Sequence, residues 1–308
     1  MSFYTVFEQI FVLFIILVAG YIVRKLEVFD DRMTKGLSSL LLKLALPALI
    51  IDSLQQTYSP QLLRESGLIL LISFVVYGAS GGVAAFFPGI LRSEQGELGV
   101  FRFSLLFSNV GFMGYPVVLA IFGQEGLFYA AIYNLPFNLL VFTLGIVVMT
   151  LGRGDDKHSI NWRMFVSPAV VSVLIGFSLF LLGLRLPGPI AQSVKMIGSL
   201  TTPLSMIIVG ALLSSINARE IFSNWRIYAI STARLIFIPL LVWLSLRLFT
   251  DNVLLIGVPT IIAAMPAAAN TAILAEEYSA NPRLASQVVF ISTLLSIITI
   301  PFVVYFIL

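Results

Sequence analysis

The sequence predicts an all-α membrane protein with ten transmembrane helices, built as two inverted five-helix repeats in which helices 4 and 9 are broken. Three observations support this fold class. The composition is strongly apolar, the apolar residues fall into ten long stretches, and two of those stretches are interrupted at matching places in the two halves of the chain. Such interrupted spans are typical of helices that line a ligand site near the middle of the bilayer.

The composition indicates an integral membrane protein with little left over for a water-soluble domain. Of the 308 residues, 59% are hydrophobic and only 11% are charged, and the mean hydropathy is +1.02. A soluble domain has about 25% charged residues. The net charge of +3 comes from loop lysines and arginines. We interpret it as charge that sets membrane orientation, not as a nucleic-acid-binding surface.

Ten stretches are apolar enough to cross a bilayer, which takes about 20 residues as a helix. Solid apolar runs favour helices over the alternating pattern of a barrel strand. The first run lacks a preceding positive charge and a following cleavage site, so it is expected to be retained. The predicted spans are 4–23, 36–54, 66–88, 98–122, 126–151, 163–184, 189–213, 225–249, 253–277 and 284–307.

The distribution of lysine and arginine predicts the orientation. Twelve of these residues fall on one side of the predicted spans and four on the other, which makes the first side cytoplasmic and both termini non-cytoplasmic. A polar loop at 152–158 then lies inside and divides the chain into 1–152 and 153–308, with five spans each. An odd number of spans gives the two repeats opposite orientations.

Proline and glycine interrupt the fourth span. Gly111, Gly114 and Pro116 make a continuous helix costly, because proline lacks a backbone donor and clashes with the preceding turn. The sequence therefore predicts a break at 113–116, with a second half-helix that starts near Tyr115 and Pro116. The alternative is an ordinary proline kink.

The ninth span contains a matching interruption at 266–270, and a half-helix is expected to restart between Ala267 and Asn270. Two helix N-termini would then meet near the midplane, each with about half a positive charge. Such ends suit an anionic group, while the opposing C-termini offer carbonyl groups to a cation or to water.

Polar side chains lie close to both breaks in the sequence. Asn134 and Asn138 are four residues apart and are expected to share one face of the fifth span, on either side of Pro136. The alternative is hydrogen bonding between helices. The predicted substrate-binding residues are Asn109, Gly111, Gly114, Tyr115, Pro116, Asn134, Asn138, Pro266, Ala267, Asn270 and Thr271.

Two cations lie inside the predicted spans. Lys43 and Arg234 each follow another cation by eight residues, which places them about 12 Å deeper along a helix. Burial of such a charge costs roughly 2.5–3.5 kcal/mol. Both are candidates for attracting an anion. The alternative is that they reach back to the interface or pair with carbonyl groups at a helix end.

Enzymatic chemistry is not expected. The chain has no cysteine, its one histidine, His158, lies in the polar loop, and no acidic cluster falls at membrane depth. No catalytic residue, metal site or cofactor is therefore predicted, and a membrane-embedded enzyme is disfavoured.

The chain resembles the auxin efflux carrier family, in particular its bacterial members. The resemblance covers the whole chain and rests on three segments: Lys43–Ile50, Asn109–Pro116, and Pro266–Asn270 with the following Leu274–Tyr278. This family is related to the sodium/bile acid symporters. The resemblance implies a scaffold domain and a core domain, with the fourth and ninth helices crossing at their breaks.

The same resemblance implies a function. It predicts a secondary carrier or uniporter of a small organic anion, such as a carboxylate or dicarboxylate, with an elevator-like movement of the core. It also implies a homodimer in the bacterial inner (plasma) membrane. The expected partners are thus the organic anion, the lipid bilayer and a second copy, and no nucleic acid. The alternative function is a membrane receptor or sensor that binds a carboxylate without transporting it.

Overall fold

The computed structural model describes residues 3–141, 143–150, 167–214, 224–278 and 280–307. In these ranges the regular secondary structure is helical, with turns and short connections between the helices, and one isolated antiparallel bridge joins Ser108 and Ala267. The predicted inside loop at 152–158, with His158, lies outside the described residues. Seven helical stretches, four of which join consecutive helical segments, are long and apolar enough to cross a membrane by length and composition, and two shorter apolar helices accompany them in the described residues.

Sixteen α-helices make up the described part of the chain. They are α1 (Phe3–Lys25), α2 (Asp31–Leu40), α3 (Leu46–Ser53), α4 (Pro60–Ile90), α5 (Gln95–Leu106), α6 (Tyr115–Tyr133), α7 (Leu135–Val141), α8 (Leu144–Thr150), α9 (Pro168–Leu181), α10 (Gly188–Ser199), α11 (Thr201–Ser214), α12 (Trp225–Thr232), α13 (Ile238–Arg247), α14 (Val253–Ala263), α15 (Asn270–Glu277) and α16 (Pro282–Ile307).

The helical membrane class is confirmed, although fewer long helices are present than predicted spans. The ninth predicted span consists of two short helices, α14 and α15, because it is interrupted. The fourth and fifth predicted spans meet inside α6 at Gly123, whose φ of 65° lies in the left-handed region that glycine tolerates. The ten-span inverted repeat stays a prediction.

Proline explains where the described π-helical turns occur. Each turn is followed by a helix whose second residue is proline. Because the proline ring clashes with the carbonyl four residues earlier, a wider turn relieves the contact. The turns and their prolines are π1 (Leu41–Ala45, Pro47), π2 (Val110–Gly114, Pro116) and π3 (Ala233–Phe237, Pro239).

The first of two compact units comprises Met1–Leu70, Gly111–Leu135 and Phe165–Ser215, so far as these are described. Its main contact joins α1 to α11. The helices approach closely at Gly20 and Gly210, where an added Cβ would lie 2.3 Å from the Ile207 carbonyl oxygen and 1.9 Å from the Leu17 carbonyl oxygen. Small residues at such contacts let membrane helices pack backbone to backbone.

The second unit comprises Leu71–Val110, Pro136–Met164 and Ile216–Leu308, again so far as these are described. In it, α16 packs against α5, α12 and π3. At one end, Arg226 forms an ion pair with Glu97 at 3.3 Å, and Asn224 donates a hydrogen bond to the same carboxylate at 2.6 Å. These contacts tie the start of α12 to the start of α5. Both units therefore draw segments from both halves of the sequence.

Candidate functional site

The fourth span breaks earlier than the sequence predicted. Helix α5 ends at Leu106, Phe107 is extended with φ −112° and ψ 121°, and helical structure resumes at Val110. The predicted break at 113–116 is wrong, because the π2 turn accommodates Pro116 and keeps that segment helical. The break consists of residues 107–109.

The ninth span breaks where it was expected. Helix α14 ends at Ala263, residues 264–269 are not helical, and α15 starts at Asn270. Pro266 and Ala267 lie inside this break, and Asn270 and Thr271 open the following helix. The predicted restart between Ala267 and Asn270 is confirmed.

The two breaks pair with each other, and we call residues 107–109 and 264–269 the paired break. The backbone N–H of Asn109 donates to the Pro266 carbonyl oxygen at 2.8 Å, and the N–H of Ala268 donates to the Phe107 carbonyl oxygen at 3.1 Å. Backbone groups freed from a helix at membrane depth need partners inside the protein. Each interruption therefore supplies hydrogen-bond partners for the other.

A side chain of α16 completes this pairing. Ser292 Oγ is buried and accepts a hydrogen bond from the backbone N–H of Ala267 at 3.1 Å. Ser292 is not among the predicted substrate-binding residues. Its contact could not be read from the sequence, since it depends on how α16 packs against the ninth span.

Arg234 lies where both interrupted helices end. Its Nη1 donates to the Leu105 carbonyl oxygen at 2.7 Å, and its Nε donates to the Met265 carbonyl oxygen at 3.2 Å. The residue is only 3% exposed. Leu105 belongs to the last turn of α5, and Met265 follows the end of α14. The alternative role given above, pairing with helix-end carbonyl groups, is the one the structure supports.

The N-terminus of α15 has an unusual cap. Ala269 occupies the N-cap position, and no side chain accepts a hydrogen bond there. Most helices place Ser, Thr, Asp or Asn at this position to satisfy the first N–H groups. Asn270, the first residue of α15, is half-buried, whereas Thr271 is fully buried and its Oγ1 donates to the Ala268 carbonyl oxygen at 2.6 Å. Asn270 is thus the more accessible polar group of the two.

Other predicted site residues lie in the first unit. Gly111 and Gly114 are part of π2, and Tyr115 and Pro116 begin α6. The Tyr115 hydroxyl is buried and hydrogen-bonded to the side chain of Asn134. Among the predicted residues of the second unit, Asn109 is 4% exposed and contributes to the paired break through its backbone.

The prediction that Asn134 and Asn138 share one helical face stays a prediction. Asn134 is the C-cap of α6, and a separate helix, α7, begins at Leu135. Asn138 lies in α7, but its side chain is outside the described residues. Pro136, which follows this junction, accounts for the interruption because it cannot donate to the preceding turn.

Lys43 differs from Arg234 in burial. Lys43 lies in π1 and is exposed, so it has no buried contact comparable to those of Arg234. Of the two predicted anion-attracting charges, Lys43 is exposed and Arg234 is enclosed by its own unit. In the described part of the chain, no three His, Asp or Glu side chains converge as a metal site would require. The chemistry available at the paired break is hydrogen bonding and helix-end charge.

The sequence comparisons identify the family. The model of the family described as "Membrane transport protein" matches residues 5–160 and 157–304, nearly the whole chain. The chain belongs to this membrane transport protein family. The predicted resemblance to auxin efflux carriers is thereby confirmed, and so is the prediction that the chain is a transporter and not an enzyme.

Relatives of similar length carry transporter names. A Methanothermobacter thermautotrophicus protein named "Uncharacterized transporter" is 28% identical over 297 residues, which cover 96% of each chain. A Rhizobium meliloti protein named "Putative malonate transporter" is 23% identical, over 94% of this chain and 91% of the relative. The Escherichia coli protein named "Uncharacterized transporter YfdV" is 22% identical over 94% of each chain.

Proposed function

We propose that this membrane transporter is a secondary carrier of a small organic anion, a carboxylate or dicarboxylate. The name of the Rhizobium meliloti relative supports a dicarboxylate of the size of malonate as a first candidate. The predicted substrate-binding residues are consistent with such a ligand, because they offer amide and backbone donors.

The observation that carries this proposal is the uncapped start of α15 beside the paired break. Ala269 supplies no side-chain acceptor for the first N–H groups of the helix, of which that of Thr271 donates to the Ala268 carbonyl oxygen at 2.9 Å. Asn270, the first residue of the helix, adds an amide that is half-buried. Backbone N–H groups and the positive end of the helix dipole both favour a carboxylate. Broken helices with their ends at the membrane midplane bind anionic substrate groups in this way in many carriers.

The architecture we propose is ten spans in two inverted repeats, 1–152 and 153–308, whose fourth and ninth helices cross at the paired break. The mutual hydrogen bonds of Asn109 with Pro266 and of Ala268 with Phe107 support this crossing. We propose elevator-like alternating access as the mechanism. The chain divides into two compact units, each built from segments of both halves. This division supports a mechanism in which one unit moves as a single body.

The proposed setting is the plasma membrane, with both termini on the non-cytoplasmic side and two copies forming a homodimer. The excess of lysine and arginine on one side of the predicted spans supports this orientation. The family resemblance supports the dimer.

Uptake into liposomes tests the proposed function. Purified protein is reconstituted, and uptake of labelled malonate, other dicarboxylates and monocarboxylates is measured with and without a pH gradient or membrane potential. The expected result is saturable uptake of at least one acid. Asn270→Ala is expected to reduce that uptake at least tenfold, because it removes the accessible amide at the start of α15.

Asn252→Ala is the matched control. Asn252 caps the N-terminus of α14, at the opposite end of the same span, where its Oδ1 accepts from Leu254 N and Leu255 N. Loss of that cap costs about 1 kcal/mol of stability but leaves the paired break intact. Equal uptake by both variants would contradict the assignment of Asn270. Carboxylate binding without any uptake would favour the sensor instead.

A further inference from the structure

The buried guanidinium of Arg234 is a fixed positive charge at the ends of two helices. It hydrogen-bonds the Leu105 carbonyl oxygen at 2.7 Å and the Met265 carbonyl oxygen at 3.2 Å. One of these groups belongs to the last turn of α5, and the other follows the last turn of α14. A single side chain thus joins the C-terminal ends of both interrupted helices.

These ends would otherwise attract a cation. The last four carbonyl groups of a helix lack partners within the helix, and the end carries about half a negative charge. Two such ends brought together in a low-dielectric interior make a strong site for positive charge. In carriers with broken helices, unwound carbonyl groups and half-helix C-termini coordinate Na⁺.

The π3 turn explains how Arg234 reaches this place. Pro239 is the second residue of α13, and the preceding turn is widened to a π-helix over Ala233–Phe237. Arg234 is the second residue of that turn and is buried together with Ala233 and Leu235. The surrounding chain holds the charge in the interior, at a position where a long cationic side chain contacts both carbonyl groups.

We propose that Arg234 is a built-in substitute for a coupling metal cation. Its guanidinium takes the carbonyl groups that would hold Na⁺, so the carrier works without binding Na⁺ there. Only the expected effect of Na⁺ on transport rests on the proposed carrier function. That the guanidinium of Arg234 occupies a cation site can be tested without a transport measurement.

The test compares Na⁺ binding by the purified full chain and by variants. Binding of ²²Na⁺ and the melting temperature are measured in NaCl and in choline chloride of equal ionic strength. Wild type is expected to bind no ²²Na⁺ saturably and to melt at the same temperature in both salts. Arg234→Ala is expected to melt roughly 5 °C lower in choline. It should regain much of that loss in Na⁺, because a ligand that binds only the folded state stabilises it.

Arg247→Ala is the matched control. It removes the same charge at the end of α13, from an exposed side chain that lies 4.8 Å from the centre of the Trp243 ring, and it should not create a response to Na⁺. Arg234→Lys keeps a positive charge and should also give no response to Na⁺. A merely structural role of Arg234 would lower the melting temperature of the alanine variant equally in both salts.

Three outcomes would overturn the inference: saturable ²²Na⁺ binding by wild type, a folded Arg234→Ala protein whose melting temperature does not respond to Na⁺, or a sodium response of Arg247→Ala equal to that of Arg234→Ala. If the alanine variant does not fold, Arg234→Gln replaces it in the same comparison, and saturable ²²Na⁺ binding by wild type still overturns the inference.

The transport consequence separates this inference from the carrier proposal. In liposomes, a Na⁺ gradient should leave wild-type carboxylate uptake unchanged and should stimulate uptake by Arg234→Ala. Sodium-driven uptake by wild type would refute the role of Arg234 but support the carrier. Conversely, the expected binding pattern in a protein that moves no carboxylate would support Arg234 and refute the carrier.

Discussion

Two π-helical turns each carry one cation, and only one of these cations is buried. Lys43 lies in π1, Leu41–Ala45, of the first unit, and Arg234 lies in π3, Ala233–Phe237, of the second unit. The helix that follows each turn has proline as its second residue. Lys43 is nevertheless exposed, whereas Arg234 is 3% exposed and joins two helix ends.

The same position in the two turns differs in burial. Lys43 is the third residue of π1 and is exposed, whereas the third residue of π3, Leu235, is buried together with Arg234, the second residue. Spacing along a span therefore predicts the depth of a charge, while the helices packed around the turn decide what the charge contacts.

The largest expected effect is on stability, for Arg234→Ala. The substitution removes both charge-assisted hydrogen bonds from a buried position, each worth about 1.5–3 kcal/mol, so we expect a loss of about 3 kcal/mol or more. Unfolding of the purified protein in detergent, followed by circular dichroism, measures it. A loss under about 1 kcal/mol would show that the helix ends do not depend on this charge.

A smaller loss is expected for Arg234→Lys. A lysine keeps the charge, but its single ammonium group lacks the planar fork with which arginine bonds two acceptors at once. We expect about half of the loss seen for alanine, in the same unfolding measurement. A lysine variant as unstable as the alanine variant would mean that bridging geometry, and not charge, accounts for the stabilisation.

Ser292→Ala should cost about 1–2 kcal/mol, because it leaves the buried N–H of Ala267 without its acceptor. Ser296→Ala is the matched control. Ser296 lies one turn later in α16, is also buried, and donates to the Thr293 carbonyl oxygen of its own helix. If both variants lose the same stability, the paired break does not depend on α16.

The smallest effect is expected for Lys43→Ala. An exposed side chain away from special backbone positions changes stability by no more than about 0.5 kcal/mol. The same unfolding measurement checks this expectation. A loss comparable to that of Arg234→Ala would contradict the contrast between the two turns, and would indicate that Lys43 makes a buried contact.

The helical membrane fold and the family could be predicted from sequence, because apolar stretches of span length depend on composition alone. The break at 264–269 was also predictable, since Pro266 sits within it and Asn270 starts a helix. The break at 107–109 could not be predicted. Gly111, Gly114 and Pro116 weaken a helix, but a π-helical turn absorbs that weakness at low cost.

What fixes the position of the first break is tertiary pairing. Asn109 and Phe107 form backbone hydrogen bonds with residues about 160 positions later in the sequence. No local sequence pattern predicts such a partner. The contacts of the Arg234 side chain could not be predicted from the sequence either. Its depth followed from its spacing after Arg226, but its contact with Leu105 and Met265 depends on which helices end beside it.

Binding of a carboxylate at the start of α15, beside the paired break, can be tested directly because the chain has no cysteine. Ala269→Cys introduces one thiol at the N-cap of α15, and Thr250→Cys introduces a control thiol before α14. Labelling rates with a membrane-impermeant maleimide are measured with and without the carboxylate found in the uptake screen. We expect the acid to slow labelling saturably at position 269 and not at position 250. Equal labelling of position 269 with and without the acid would contradict carboxylate binding at this helix end.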